Sequence, residues 1–166
     1  LVICPTDVKK DPNLLLEHLA QTGVERLFLP FVALQQLTDC AMQQSASGKS
    51  RGLSLQLHDV ITAGEQLQVT ETTREFFNLI PQCVLHNHYG PTETHVVAAL
   101  ELNGNPETWP TLPSIGHPIS NVNLHILDGN HLPTPSGVPG ELYIGGNCLA
   151  QEYLNNKELT EEKFVY

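Results

Sequence analysis

The sequence predicts an α/β fold, a parallel α/β layer followed by a small β-rich subdomain, and three observations predict it. Up to about residue 98, short apolar runs alternate with longer stretches of helical spacing, the order that builds a parallel sheet covered by helices. Seven of the twelve prolines then fall between Pro106 and Pro139, where only brief strand-like runs interrupt the turns. The chain has 166 residues, 40% hydrophobic and 16% charged, which is enough to bury a core and unlike a disordered tail or a coiled coil.

Each element has its own signal. "LVIC" reads as a buried strand, and "DPNLLLEHLAQTG" as a helix with Asp11 as N-cap, Pro12 in the first position and Gly23 just past the end. "VERLFLP" is a second strand that Pro30 ends. "FVALQQLTDCAMQQ" has the apolar spacing of another helix, and the polar linker "SASGKSRG" follows it. A third strand is expected at "DVITAG", a helix over "TETTREFFNLI" and a fourth strand at "CVLHNHYG". Beyond the change of grammar, "NLHILD" and "ELYIGG" are short strands. Residues 1–98 are therefore expected to form the α/β portion, 99–109 a connecting segment and 110–166 the β-rich portion.

Eighteen acids against eight bases give a formal charge of −10, which repels a nucleic-acid backbone and an anionic lipid surface and sets both aside as partners. No apolar run approaches the roughly 20 residues of a membrane helix, so a soluble globular class is expected. Cys4, Cys40, Cys83 and Cys148 lie far apart without a CxxC, and no signal peptide is present. Four reduced thiols in a cytoplasmic protein follow. The chain begins without Met and stops on "EEKFVY", and both ends look cut from something longer.

"NHYGPTETHVV", Asn87 to Val97, crowds an aromatic ring, a hydroxyl and a carboxylate around a Gly-Pro turn directly after a strand. In open α/β sheets, ligands bind outside the carboxyl ends of the strands. Gly90 permits a backbone conformation that other residues resist and Pro91 fixes the next one, so Tyr89, Thr92 and Glu93 can face one cavity. A ring can stack on a base, a hydroxyl can donate to phosphate and a carboxylate can hold magnesium beside that phosphate. The combination is that of a nucleotide site; equally, Gly-Pro is a common turn that these side chains could merely decorate.

"NHYGPTE" resembles the fifth core motif of the adenylation domains of nonribosomal peptide synthetases, and "GELYIGGNCLAQEYLNNKELTEEKF" their sixth. "VERLFLPFVALQQL" and "DVITAGEQL" resemble the family's segment upstream, so the likeness covers essentially the whole chain. It implies part of the large N-terminal core of an adenylate-forming enzyme. Such enzymes join an amino acid to ATP as an aminoacyl adenylate, release pyrophosphate, and load the acyl group onto the phosphopantetheine thiol of a carrier domain. By the same likeness Asn87 lies near the adenine edge, Gly64 beside the base and Tyr89 on it, with Gly90 shaping the turn. Thr92 meets the α-phosphate and Glu93 helps hold Mg2+, which makes these two the catalytic candidates.

The likeness also implies that Phe28, Ile61, Ala63, His88, Val96 and Val97 contact the substrate side chain. Five of these six are apolar, which fits a hydrophobic or aromatic amino acid with one polar handle. Phe28, Ile61 and Val97 could instead be plain core residues. Carrier and condensation domains of the same synthetase are the implied partners. The alternatives are an acyl-CoA or aryl-acid ligase of the same superfamily, or a non-catalytic interaction module that keeps the fold.

In the sixth motif, Cys148, Gln151 and Glu152 stand where the family usually has glycine, arginine and glycine, which questions the local backbone there. His86, His88 and His95 could suggest zinc, but His88 falls on a pocket position and no fourth ligand is evident. Glu158, Glu161 and Glu162 read as a solvated first turn of a terminal helix. By itself the chain is expected to be inactive, because the phosphate loop, the carboxylate for the substrate amine and the family's catalytic lysine fall outside it.

Overall fold

A computed structural model describes residues 1–47 and 54–165, and the chain divides into two compact units. The first comprises Leu1–Tyr89 and Ala98–His117, the second Gly90–Val97 and Pro118–Tyr166.

In the first unit the Asp11 carboxylate accepts the Asn13 N–H at 2.8 Å and opens helix α1 (Pro12–Thr22), which Gly23 closes in the left-handed conformation. Strand β1 (Arg26–Phe28) follows, and Pro30 starts helix α2 (Phe31–Ala46). Of the expected linker, Ser45 and Ala46 finish that helix and residues 48–52 lie outside the described residues. Strand β2 (Asp59–Ala63) leads to helix α3 (Glu71–Leu79), where the Thr70 hydroxyl accepts the Thr73 N–H at 3.2 Å, and strand β3 (Val84–Tyr89) comes next. Strands β1, β2 and β3 run parallel. Strand β4 (Ala98–Leu102) joins β3 antiparallel, and the two-residue β5 (His117–Pro118) completes the order β1-β2-β3-β4-β5.

Alternation along the strands divides the sheet into two faces. Val60 and Leu85 are fully buried and belong to one apolar cluster with Leu16, Leu37, Phe76 and Phe77, so the three helices cover that face. Phe28, Ile61, Ala63, His86 and His88 occupy the other face, which is half-buried or open along its length.

The structure departs from the sequence reading in three places. Leu1 to Cys4 form no strand, and Leu1 and Ile3 are exposed. Apolar content alone cannot make a strand that lacks a neighbour to share its backbone hydrogen bonds. Four of the five residues of β4, Ala99 to Leu102, lie in the stretch expected to be a connector, because "AALEL" is short and shows no period-two pattern. Finally, Trp109 packs on Phe77 with ring centroids 5.2 Å apart and donates its indole N–H to the Asn103 carbonyl at 3.0 Å. Arg74 reaches the Trp109 carbonyl at 2.7 Å, so these contacts tie the stretch through residue 109 to helix α3 in the first unit.

The second unit is built on strands β6 (Val122–Leu127) and β7 (Glu141–Gly146), paired antiparallel from Val122↔Gly146 to Leu127↔Glu141. A short helix α4 (Lys157–Lys163) follows, capped by the Asn156 side chain, which accepts the Leu159 N–H at 3.2 Å.

Leu37 is fully buried and Leu79 is 60% exposed, although both lie on helices of the same layer. Leu37→Ala should therefore cost about 2–5 kcal/mol in denaturant unfolding. Leu79→Ala should stay within about 0.5 kcal/mol of the parent chain.

Candidate functional site

The loop from Gly90 to Val97 belongs to the second unit, and its shape follows from a close backbone approach. A Cβ at position 90 would lie 1.7 Å from the His95 carbonyl oxygen, so only glycine fits. That differs from the sequence argument, which rested on backbone freedom: the left-handed residue of the loop is His95, at φ 61. The Thr94 N–H closes a turn on the Pro91 carbonyl at 3.2 Å, and the Thr94 hydroxyl donates to the His95 carbonyl at 2.9 Å. Thr92 is left exposed at the tip, Glu93 and Val96 are half-buried and Val97 is fully buried.

Glu93 is held twice by the segment that carries the sixth-motif wording. The Ala150 N–H donates to its backbone carbonyl at 2.7 Å, and the Tyr153 hydroxyl donates to its Oε1 at 2.5 Å. Tyr153 is anchored in turn: its N–H reaches the Thr160 hydroxyl at 3.0 Å, and its ring meets the Phe164 ring edge-on at 5.6 Å. Glu93, Ala150, Tyr153 and Phe164 line a cavity of about 360 Å³ together with Leu142, Ile144 and Leu149. The Tyr153 hydrogen bond holds the Glu93 carboxyl below the usual glutamate range, and the same bond raises the Tyr153 phenol. Sequence reasoning missed Tyr153 as a site residue, although it lies inside the quoted motif, because the contact spans 60 positions.

Cys148, Gln151 and Glu152 all keep φ negative, so the two missing glycines leave no left-handed strain behind. Among the described residues no three His, Cys, Asp or Glu side chains gather to hold a metal ion. Glu93 suits a different arrangement, in which one carboxylate shares magnesium with phosphate oxygens. As a carboxylate it is charged at neutral pH, and its Oε2 has no side-chain partner among the described residues.

In the first unit, strand register brings four of the six expected pocket residues together. Phe28 pairs with Ile61, Ile61 with His86, and Ala63 with His88, so these residues form two adjacent rows on the face without helices. Phe28 is 62% exposed and is no core residue. Val96 and Val97 belong to the second unit. One step along the strands, His86 Nε2 lies 2.8 Å from Asp59 Oδ1, and Arg26 reaches Asp59 Oδ2 at 2.9 Å. Those two partners, His86 first, hold the Asp59 carboxyl below its ordinary range. Burial, and then the nearby His86, lower the pKa of His88, whose ring lies 6.0 Å from that of His86. Asn87 faces the other way, with its amide donating to the Ser114 carbonyl at 2.9 Å. Tyr89 ends β3, and Gly64 follows β2 at φ 94, a conformation that favours glycine.

Comparison with known proteins gives the class to which this fold belongs. The AMP-binding enzyme family matches residues 1–154. The chain belongs to that family, on the branch of adenylation-type domains found in nonribosomal peptide synthetases. It is 50% identical over 105 residues to gramicidin S synthase 2 of Brevibacillus brevis, covering 63% of this chain and 2% of that one. It is 46% identical over 106 residues to tyrocidine synthase 2 of Brevibacillus parabrevis, covering 64% of this chain and 3% of that one. Among solved structures it resembles holo-AB3403, a four-domain nonribosomal peptide synthetase bound to AMP and glycine. That match has TM-score 0.78 and 27% identity, over 99% of this chain and 11% of that one. CmiS6 shares the fold at TM-score 0.80 and 22% identity, over 98% of this chain and 38% of that one. The chain thus spans a small part of the relatives it matches. No described helix is long and apolar enough to cross a membrane.

The depressed Asp59 pKa has a definite sign. A carboxyl whose folded value lies below its unfolded one stabilises the fold above the unfolded value, and that contribution is lost as pH falls through the folded one. Denaturant midpoints should therefore fall on acidification below about pH 4, the unfolded aspartate value. Asp59→Asn should make that acid limb shallower, because one of the carboxyls held below its ordinary range is gone.

Proposed function

We propose that this segment serves an adenylation reaction in which an amino-acid carboxylate oxygen attacks the α-phosphorus of ATP. An aminoacyl adenylate forms and pyrophosphate leaves; the phosphopantetheine thiol of a carrier domain then takes the acyl group as a thioester and AMP departs, alongside a condensation domain of the same synthetase. The observation that carries this reading is Glu93: an anionic side chain fixed by Tyr153 on a turn whose backbone leaves no alternative to glycine at position 90.

In this reading Thr92, exposed at the tip, donates to the α-phosphate. Glu93 would hold the metal through its carboxylate. Magnesium, when bound, offsets the charge that rearranges as pyrophosphate departs. Tyr89 at the end of β3 stacks on the adenine, with Gly64 beside the base and Gly90 and Asn87 shaping the approach. Asn87 offers the adenine edge its side-chain Oδ1, since its backbone belongs to the sheet between β2 and β4 and its Nδ2 donates to Ser114. The sheet face opposite the helices receives the substrate side chain, where Phe28, Ile61 and Ala63 supply apolar contact and His88 one polar handle. Val96, half-buried on the loop, keeps its expected pocket role, whereas the fully buried Val97 fits the core role instead. A hydrophobic or aromatic amino acid suits that lining.

The test is amino-acid-dependent exchange of pyrophosphate into ATP by the full adenylation domain that carries this segment. Glu93→Gln keeps the shape and removes the anion, so adenylation should slow about a hundredfold or more, equivalent to about 2.7 kcal/mol. Tyr89→Phe keeps the stacking ring and should lose much less. Near-normal rates in Glu93→Gln with failure of Tyr89→Phe would transfer the role to the tyrosine hydroxyl. His88→Ala should reorder a panel of amino acids by kcat/KM while leaving the KM for ATP nearly unchanged. An unchanged ranking with a weakened ATP response would instead put His88 at the nucleotide.

A further inference from the structure

We infer that Tyr153 is a positioning residue for Glu93: its hydroxyl fixes the carboxylate so that Oε2 alone is offered to a divalent cation. This rests on the reading of Glu93 given above and adds a residue that reading does not contain. A glutamate on a surface loop ordinarily samples many rotamers, and each must be frozen out before the oxygen can serve as a ligand. Here the freezing is built in. The Ala150 N–H fixes the Glu93 main chain at 2.7 Å, and the Tyr153 hydroxyl takes up Oε1. Tyr153 has few torsions of its own and these are constrained, by Thr160 at its N–H and by the Phe164 ring at 5.6 Å. Thr160 is held by the Asn156 carbonyl, which accepts its hydroxyl at 2.9 Å.

The direction of the hydrogen bond sets the chemistry. A phenol donates to a carboxylate without neutralising it, whereas a lysine or arginine in the same place would compete with a cation for the charge. Lys163 lines the same cavity, but its ammonium pairs with Glu162 at 2.8 Å. Glu93 therefore keeps its charge and loses its freedom, the condition for a ligand that need not reorganise when the cation arrives.

The experiment compares Tyr153→Phe, Glu93→Gln and the double variant in the full adenylation domain. Tyr153→Phe preserves the ring against Phe164 and deletes only the hydroxyl. The Mg2+ concentration for half-maximal rate should rise about tenfold, the scale of one hydrogen bond to a charged group. Binding of Mn2+ with ATP, read by electron paramagnetic resonance, should weaken by a similar factor. The KM for the amino acid and the urea unfolding midpoint should hardly move. In the Glu93→Gln background, Tyr153→Phe should have no further effect on either metal readout, since the group it positions is gone. Unchanged metal readouts with a lowered unfolding midpoint would reduce Tyr153 to a structural role and overturn the inference, as would effects that add in the double variant. If Glu93→Gln itself leaves metal dependence unchanged, the metal assignment of Glu93 fails and this inference falls with it. If Glu93→Gln acts and Tyr153→Phe does not, only the inference fails.

Discussion

The parallel register of β1, β2 and β3 is the constraint on which the first unit depends. Side chains alternate with a period of two, so a slip of one residue would turn Val60 and Leu85 out of the core and drive Asp59, Ile61 and His86 into it. Burying the Asp59 carboxylate and an imidazole among Leu16, Leu37 and Phe76 would cost far more than any gain from Ile61. The same alternation that forms the core therefore decides which residues can meet a ligand. Core and candidate pocket are two faces of a single register.

The second unit rests on a different principle, closure by backbone contact. Its loop carries few buried side chains, and its form comes from the approach of Gly90 to the His95 carbonyl, the Thr94 bonds and the two ties from Ala150 and Tyr153. Such a loop is fixed by hydrogen bonds and sterics and little by burial, so the side chains at its tip can be polar without destabilising a core. That frees positions 92 and 93 for a hydroxyl and a carboxylate.

Much of this was legible in the sequence because the informative signals were local. Asp11, Pro12 and Gly23 bracket α1 as their capping chemistry requires, and the helix over "TETTREFFNLI" is delimited by Thr70 and Leu79. What escaped was non-local. Strand β4 exists because β3 offers it an edge, Leu1 to Cys4 fail as a strand because no edge receives them, and Trp109 joins the first unit through a contact with Phe77 more than thirty positions away. Gly90 shows a subtler limit. The sequence marked the glycine as necessary, but its cause is a carbonyl five residues on, which composition cannot reveal. The pairing of Glu93 with Tyr153 is of the same kind, for both motifs were visible and nothing in either indicated that they touch.

That contact also explains why the departures in the sixth-motif segment are tolerated. Cys148, Gln151 and Glu152 replace residues whose loss might have altered the chain path, yet the two groups that reach the loop are the Ala150 N–H and the Tyr153 hydroxyl. The first is a main-chain group that any residue but proline supplies, and the second lies outside the substituted positions. With φ negative at all three substituted residues, the lost glycines leave no left-handed position there, and the tie to Glu93 is made regardless. The segment can vary where its side chains face solvent, as Gln151 and Glu152 do, while position 153 stays bound to the geometry of the carboxylate it holds.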